Sequence, residues 1–180
     1  MFHFLSISNL NSSKGTLVLL KAISQLLDKT ADFHVHFVGA PTVEISADQM
    51  LQEIETRKLQ AVVTYHGKLY GNDKKMRFEE ADCFVHPTLN DCFPLVILEA
   101  MQHSLPVIST PVGAIPDMVL EGETGTIVPV NSTTALMEAM LQLILHPDKA
   151  QELGQKGKLK YEERFTLSHF EENLLSILKS

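Results

Sequence analysis

Apolar residues occur along the chain in two arrangements: short unbroken runs, and runs in which they recur every three or four positions. The unbroken runs are typical of strands buried on both faces, and the spaced runs are typical of helices with one apolar side. The unbroken runs predict strands at 2–7, 33–38, 61–65, 83–86, 106–109 and 126–128. The spaced runs predict helices at 16–27, 47–57, 73–80, 94–103, 115–120, 133–145, 148–164 and 168–178.

Strands and helices alternate in this prediction. The alternation indicates the α/β class, with a mainly parallel sheet of about six strands between two layers of helices. In such a sheet, ligands bind beyond the carboxyl ends of the strands. The loops in which to search for chemistry are therefore those after Ile7, Val38, Tyr65, His86 and Ser109.

Length and charge limit the expected domain organisation and the expected partners. The 180 residues suit a single domain, 1–180, and no repeat or long linker interrupts them. The formal net charge of −7 argues against nucleic acid as a partner, because phosphate backbones select basic surfaces. No apolar run approaches the roughly 18 residues that span a bilayer, and the first residues lack the basic start of a signal peptide. Because a core strand begins at once, we expect the chain to be a fragment of a longer protein.

The cysteines and histidines do not predict a metal site. Cys83 and Cys92 stand inside apolar runs, so we expect buried, reduced thiols of a cytoplasmic protein. Several histidines lie in or beside predicted strands and helices without metal-ligand spacing, and we expect them to be structural. These are His34, His36, His86 and His103.

The loop after the first predicted strand is a candidate phosphate-binding element. Its small polar residues and Gly15 let backbone N–H groups approach a ligand, and the helix that follows directs its positive end at the loop. Lys14 adds a cation, although a solvated surface lysine is the simpler interpretation of that residue alone. Neither a G-x-G-x-x-G nor a Walker A motif is present.

Two acidic residues mark the loop and helix after the fourth predicted strand. Asp91 lies at the carboxyl edge of the sheet, and Phe93-Pro94-Leu95 opens a helix whose first N–H groups can face an anion. Glu99 is the only charge between Cys92 and Met101. An apolar setting makes a carboxylate costly unless it is paired, and sugar hydroxyls are suitable donors to it. The alternative is a glutamate on the helix surface.

These residues fall in a pattern that resembles the C-terminal domain of the group 1 nucleotide-sugar glycosyltransferases, which have two Rossmann-like domains (the GT-B architecture). That family carries two acidic residues separated by seven positions, commonly Glu-Gly-Phe-Pro-Leu-x-x-x-Glu. The match here is Asp91-Cys-Phe-Pro-Leu-Val-Ile-Leu-Glu99. The stretches 100–110, 113–117 and 121–129, together with Lys14-Gly15, continue the likeness in the family's order over almost the whole chain.

The resemblance implies the nucleotide-sugar-binding, Rossmann-like half of a retaining, metal-independent glycosyltransferase of the hexosyltransferase type. Such an enzyme moves a sugar from a UDP or GDP donor to a hydroxyl acceptor in polysaccharide or glycoconjugate biosynthesis, with no cofactor and no metal. The expected partners are the donor and an N-terminal acceptor-binding domain that this chain lacks, so we expect the isolated domain to be inactive. We expect a cytoplasmic location, and peripheral contact of the full-length enzyme with the inner face of the membrane stays open.

The resemblance also assigns roles to residues. Lys14 would neutralise the diphosphate leaving group, Asp91 would lie near the transferred sugar, and Glu99 would hold the ribose hydroxyls. The loop Val112-Gly113 would line the sugar and phosphates, and the stretch 66–69 would contact the base. The remaining donor-binding positions implied are Ser8, Asn9, Gly15, Gly39, His66, Gly67, Lys68, Leu69, Cys92, Phe93, Pro94 and Leu95.

Two departures from the family pattern leave alternatives open. Asn9 stands where the family usually has an arginine that clamps the diphosphate. Either one cation and the helix dipoles suffice, or another cation such as Lys68 or Lys74 contributes. Asp91 is one methylene shorter than the usual glutamate. A binding or interaction module without transfer chemistry is therefore one alternative, and an epimerase or phosphorylase on the same architecture is another.

Overall fold

The computed structural model describes residues 1–179, with Asn173 as backbone only. Within that part, the strands are β1 (Phe2–Ile7), β2 (Phe33–Val38), β3 (Val63–Tyr65), β4 (Cys83–His86), β5 (Val107–Ser109) and β6 (Gly125–Ile127). The α-helices are α1 (Thr16–Leu27), α2 (Ala47–Thr56), α3 (Gly71–Glu80), α4 (Leu95–Gln102), α5 (Ile115–Met118), α6 (Thr133–Leu145), α7 (Pro147–Arg164) and α8 (Leu167–Lys179). No helix in this part is long and apolar enough to cross a membrane.

All six described strands form one parallel sheet in the order β3-β2-β1-β4-β5-β6. The α/β class and the parallel sheet predicted from the sequence are therefore confirmed. The chain builds outward from β1 to β3 on one side, then returns to place β4 against β1 and builds outward to β6. This reversal puts a crevice at the carboxyl ends of β1 and β4, which is where open parallel sheets bind ligands.

Apolar side chains of the strands point to both faces of the sheet. Phe4 and Leu5 are adjacent on β1 and both fully buried, yet they belong to different apolar clusters. The cluster around Phe4 includes Leu19 of α1 and Met140 of α6. The cluster around Leu5 includes Met101 of α4. The side-chain alternation of a strand therefore produces two cores, and the unbroken apolar runs in the sequence reflect burial on both faces.

Several element boundaries differ from the sequence prediction. The strand expected at 61–65 begins at Val63, because the amides of Val62 and Val63 both donate to the carbonyl of Leu59 in a turn. The helix expected at 94–103 begins at Leu95, and Pro94 is its N-cap with extended backbone angles. The polar loop after β1 contains a short 3-10 helix, Ser12–Lys14, whose first turn is capped by the side chain of Asn11.

Candidate functional site

The loops that follow β1 and β4 pack against each other at the crevice. A Cβ atom at Gly15, whose φ is 73°, would lie 2.0 Å from the carbonyl oxygen of Pro87, so only glycine allows this approach. The Ser13 carbonyl accepts hydrogen bonds from the Leu89 amide at 2.7 Å and from the Thr88 hydroxyl at 3.1 Å. These contacts fix the β1 loop on the β4 loop, and they place the start of α1 beside residues 90 and 91.

Lys14 and Asp91 form an ion pair across this junction. They are 77 positions apart in sequence, and Lys14 Nζ lies 2.7 Å from Asp91 Oδ2. The same ammonium donates to the carbonyl oxygen of Asn90 at 3.2 Å. The side chains are 29% and 16% exposed, so the pair lies in the crevice and still reaches solvent. Lys14 and Asp91, which were separate candidates in the sequence, are therefore neighbours in the structure.

His86, at the end of β4, is a third member of this group, and the sequence interpretation gave it only a structural role. Its Nε2 lies 3.4 Å from Asp91 Oδ2, and the residue is 2% exposed. Within residues 1–179 its buried Nδ1 has no hydrogen-bond partner. Its place at the end of a predicted strand, five residues before Asp91, is the sequence signal that could have pointed to it.

Among Lys14, Asp91 and His86, the neighbouring groups keep the Asp91 carboxylate charged. Burial lowers the pKa of His86, more than the neighbouring Asp91 raises it, so the imidazole is neutral near pH 7. Burial by itself would raise the pKa of Asp91, but the hydrogen bond and charge of Lys14, with the contact to His86, bring that pKa below its usual value. The crevice therefore holds an ammonium and an ionised carboxylate side by side.

The segment before α4 is exposed at the same edge of the sheet. Phe93 and Leu95 are 46% and 65% exposed. Cys92 is also exposed, so the expectation of two buried thiols is wrong for this residue and right for Cys83. The reason is that Cys92 precedes α4 in the loop instead of lying on its apolar face. Pro94 is buried and begins the helix turn, as noted above.

A glycine on a neighbouring loop holds this segment in place. A Cβ atom at Gly113, whose φ is 54°, would lie 2.1 Å from the carbonyl oxygen of Asp91. The Ala114 amide donates to the Cys92 carbonyl at 2.9 Å. The loop after β5 therefore packs directly on the backbone of Asp91 and Cys92.

Glu99 lies on α4 and has a protein partner. Its Oε2 is 2.5 Å from Nζ of Lys74 on α3, and its side chain is 42% exposed. The pair lines a cleft of about 190 Å³ together with Phe78 and His103. The expectation that apolar surroundings leave this carboxylate dependent on a ligand is therefore corrected: it is half-exposed and already ion-paired.

The loops after β1, β2 and β3 are also joined. A Cβ atom at Gly39 would lie 1.8 Å from the carbonyl oxygen of Ser8, and the Gly39 amide donates to the Gly67 carbonyl at 2.8 Å. His66 continues the contact through its ring, whose Nε2 lies 3.0 Å from Nδ1 of His36. Leu69 packs partly buried against the apolar cluster that contains Leu5.

Both candidate replacements for the family's arginine, Lys68 and Lys74, contact another side chain. Lys68 Nζ lies 4.7 Å from the centroid of the Tyr70 ring, a cation–π distance. Lys74 is paired with Glu99, as described above. Asn9 itself is exposed on the β1 loop. Lys14, by contrast, lies in the crevice between β1 and β4, where its partner is Asp91.

The arrangement suits an anionic ligand that also carries hydroxyl groups. In the described part of the chain, no side chain caps the first turn of α1 or of α4. Free N–H groups at helix starts and an adjacent ammonium attract phosphate, whereas ionised carboxylates accept hydrogen bonds from hydroxyls. Within residues 1–179, no three His, Cys, Asp or Glu side chains are placed to share a metal ion.

Comparisons with a family model and with known proteins agree on one family. A family model described as "Glycosyl transferases group 1" matches residues 2–146. The D-rhamnosyltransferase WbpZ of Pseudomonas aeruginosa is 26% identical over 166 residues, which cover 91% of this chain and 41% of that protein. The chain thus spans less than half of this relative's length.

Solved structures establish the same fold. The C-terminal domain of LpcC, a glycosyl transferase group 1 family protein from Francisella tularensis, has a TM-score of 0.81 at 21% identity, covering 92% of this chain and 87% of that one. HepE from Anabaena, solved in complex with UDP, has a TM-score of 0.90 at 20% identity, covering 99% of this chain and 48% of that one.

Proposed function

The chain belongs to the group 1 glycosyltransferases, and we propose that it is the part of such an enzyme that binds the nucleotide-sugar donor. The observation that carries the proposal is the Lys14–Asp91 pair at the point where the strand order reverses. A cation, a carboxylate and two uncapped helix starts meet there. The binding of UDP by HepE, which shares the fold, supports a nucleoside diphosphate as the ligand class.

Each group has a role in this proposal. Lys14 and the first N–H groups of α1 bind the diphosphate, and they stabilise the charge that develops on it when the sugar leaves. Asp91 accepts hydrogen bonds from the sugar. Glu99 accepts hydrogen bonds from the ribose, and the joined loops at Gly39 and 66–69 contact the base.

Donor binding requires a rearrangement of charge. The ammonium of Lys14 lies 2.7 Å from Asp91 Oδ2. A diphosphate competes for that ammonium with more negative charge than one carboxylate has. Asp91 then depends more on the sugar hydroxyls and on His86, whose Nε2 lies 3.4 Å from Asp91 Oδ2 in the structure.

We further propose that transfer proceeds with retention and without a metal, as in the relatives that the sequence resembles. The acceptor site would come from a part of the full-length enzyme outside this chain, since relatives such as WbpZ are more than twice as long. The isolated chain then binds donor weakly and transfers no sugar, because acceptor groups and exclusion of water are missing.

Calorimetric titration of the chain with UDP, GDP and the matching nucleosides tests the proposal. A diphosphate should bind more tightly than its nucleoside. Lys14→Gln should weaken diphosphate binding by about tenfold, and the exposed Lys21→Gln on the same helix should change it by less than about twofold. Equal binding of diphosphate and nucleoside, or equal effects of the two substitutions, would contradict a phosphate site at Lys14.

A binding module without transfer chemistry is the second candidate function. The observation that favours it is Asn9, which cannot supply the charge of the family's arginine. The two functions differ in the full-length protein. Sugar transfer, or hydrolysis of a bound UDP- or GDP-sugar that is lost in Lys14→Gln, favours the enzyme, whereas tight donor binding with no turnover favours the module.

A further inference from the structure

Lys74 and Glu99 belong to different helices and meet over a cleft. Lys74 lies in the second turn of α3, Glu99 lies 25 positions later on α4, and their charged atoms are 2.5 Å apart. Within residues 1–179, Lys74 is the donor that reaches this carboxylate, and it does so at Oε2. Within the same residues, Oε1 receives no hydrogen bond, and the side chain lines the cleft.

The lysine is itself held in position by aromatic packing. Its Nζ lies 5.8 Å from the ring centroid of Phe78, one turn further along α3. Phe78 is 3% exposed and stacks on His103, with ring centroids 5.0 Å apart and planes inclined by 5°. Because His103 is the C-cap of α4, this ring stack connects the two helices at the cleft that the ion pair also lines.

The neighbouring lysine shows that this contact is not a general property of α3. Lys75 Nζ lies 3.2 Å from Glu79 on its own helix, and the two side chains are 59% and 50% exposed. An exposed pair within one helix contributes little and fixes no other element. Lys74, at 27% exposure, instead connects α3 to the helix that carries Glu99.

We propose that Lys74 is a positioning residue that fixes the Glu99 carboxylate for recognition of a ribose diol. The inference rests on the proposed donor-binding function. A glutamate that is 42% exposed has several rotamers in water, and ordering them on ligand binding costs affinity. A charge-assisted hydrogen bond to Oε2 orders the side chain beforehand and leaves Oε1 to accept from hydroxyl groups.

Recognition of the ribose should therefore depend on Lys74, although Lys74 does not itself contact the ribose. Glu99 should distinguish ribose from 2′-deoxyribose, because the deoxy ligand leaves the carboxylate without one of its donors. That discrimination should need Lys74. Loss of the Lys74 charge should reduce the preference for ribose, and should hardly change the affinity for the deoxy ligand, which uses the carboxylate less.

The experiment measures the dissociation constants of UDP and dUDP, and of GDP and dGDP, with five forms of the chain. These are the wild type, Lys74→Gln, Lys74→Arg, Glu99→Gln and the matched control Lys75→Gln. The wild type should prefer the ribose form of the bound nucleotide by about tenfold. Lys74→Gln and Glu99→Gln should each reduce that ratio to below about threefold, whereas Lys74→Arg and Lys75→Gln should retain it. Thermal unfolding checks that every form is folded.

Each other outcome has a defined meaning. A ribose preference that survives in Lys74→Gln overturns the positioning role. Equal weakening of the ribose and deoxy ligands by Lys74→Gln also overturns it, and makes Lys74 a second phosphate cation. If the wild type binds both forms equally while Lys14→Gln still weakens diphosphate binding by about tenfold, the donor site stands and this inference fails. If the wild type binds no nucleoside diphosphate, both the proposed function and this inference fail.

Discussion

Asn9 is the residue at which the charge of the crevice departs most from the family pattern. It is exposed on the β1 loop, a few positions before Lys14, where the resemblance to the family implies an arginine. Asparagine donates a hydrogen bond but adds no charge, whereas arginine binds phosphate oxygens through two parallel hydrogen bonds. The proposed diphosphate site of this chain thus depends on Lys14 and on helix N–H groups.

Restoring the arginine should strengthen the site. Asn9→Arg should tighten binding of UDP or GDP by about three- to tenfold, because a charge-assisted hydrogen bond replaces a neutral one. The gain should shrink as salt is raised from low to high concentration. Titration calorimetry at two salt concentrations measures both effects. An unchanged affinity would place Asn9 away from the diphosphate.

The residues of the site differed in how far the sequence could predict them. Lys14 and Asp91 follow predicted strands, so the rule that parallel strands end at one edge was sufficient to suggest both. The pairing of Lys74 with Glu99 and the contact of His86 with Asp91 were not predictable, since these side chains meet only after the helices and strands have packed. Cys92 was misassigned because a run of apolar letters does not show where a loop ends and a helix begins.

At the scale of strands, a line of histidines connects β1, β2 and the loop after β3. His3 Nδ1 lies 3.2 Å from His36 Nε2, and His36 Nδ1 lies 3.0 Å from His66 Nε2. Burial, together with the nearby His34, His66, His3 and Arg77, lowers the pKa of His36 to about 4. Burial also lowers the pKa of His34 and of His66. The rings of His34, His36 and His66 are therefore neutral in the folded protein near pH 7.

The line of histidines should make the fold sensitive to mild acid. Unfolded imidazoles take up protons near pH 6.5, whereas folded His36 does so only near pH 4. Between these values the unfolded state binds more protons, so the free energy of unfolding falls as the pH is lowered. The melting temperature should drop from pH 7 to pH 4.5, and less steeply in His36→Gln. His146→Gln, an exposed histidine, should retain the wild-type slope. Equal slopes in all three proteins would contradict the prediction.

At the scale of helices, α7 packs closely against the turn that ends α4. A Cβ atom at Gly154 would lie 1.9 Å from the carbonyl oxygen of Ser104. At Gly157, one turn later on the same helix, the nearest atom would be the carbonyl oxygen of Thr124 at an ordinary 3.7 Å. Both glycines are buried, so the difference between them is the space available for a methyl group.

Alanine at these two positions should have opposite effects. Gly157→Ala should raise the free energy of unfolding by about 0.5–1 kcal/mol, because alanine is the better helix former. Gly154→Ala should lower it by about 1–3 kcal/mol, because the backbone of α7 or of the turn must shift. Urea denaturation of both variants measures the difference. Stabilisation of the protein by Gly154→Ala would show that the two helices are not held this closely.

The helices and strands were predictable from the sequence where the local pattern of apolar residues determines them. The unbroken run at β1 and the spaced run at α1 gave the observed bounds, because each buries apolar residues with one clear period. The close approach of α7 to α4 left no such signal. A glycine in a helix is visible in the sequence, but whether a backbone carbonyl stands opposite it depends on the packing of the whole chain.

For the whole molecule, the decisive feature is the order of the strands. The reversal between β1 and β4 brings two loops together that are far apart in sequence, and Lys14 and Asp91 meet there. The resemblance to the family implied a Rossmann-like domain, and periodicity gave alternating strands and helices, but neither gave the strand order itself. The chain is less than half the length of a relative such as WbpZ.

The central claim is that a nucleoside diphosphate binds at the carboxyl ends of β1 and β4. Amide chemical shifts of the isotope-labelled chain, followed during titration with UDP and then GDP, test it most directly. We predict saturable shifts at Lys14, Phe93 and Glu99, with the starts of α1 and α4 among the most affected regions. Saturation with no response at those three residues, or a response confined to α7 and α8, would contradict the claim.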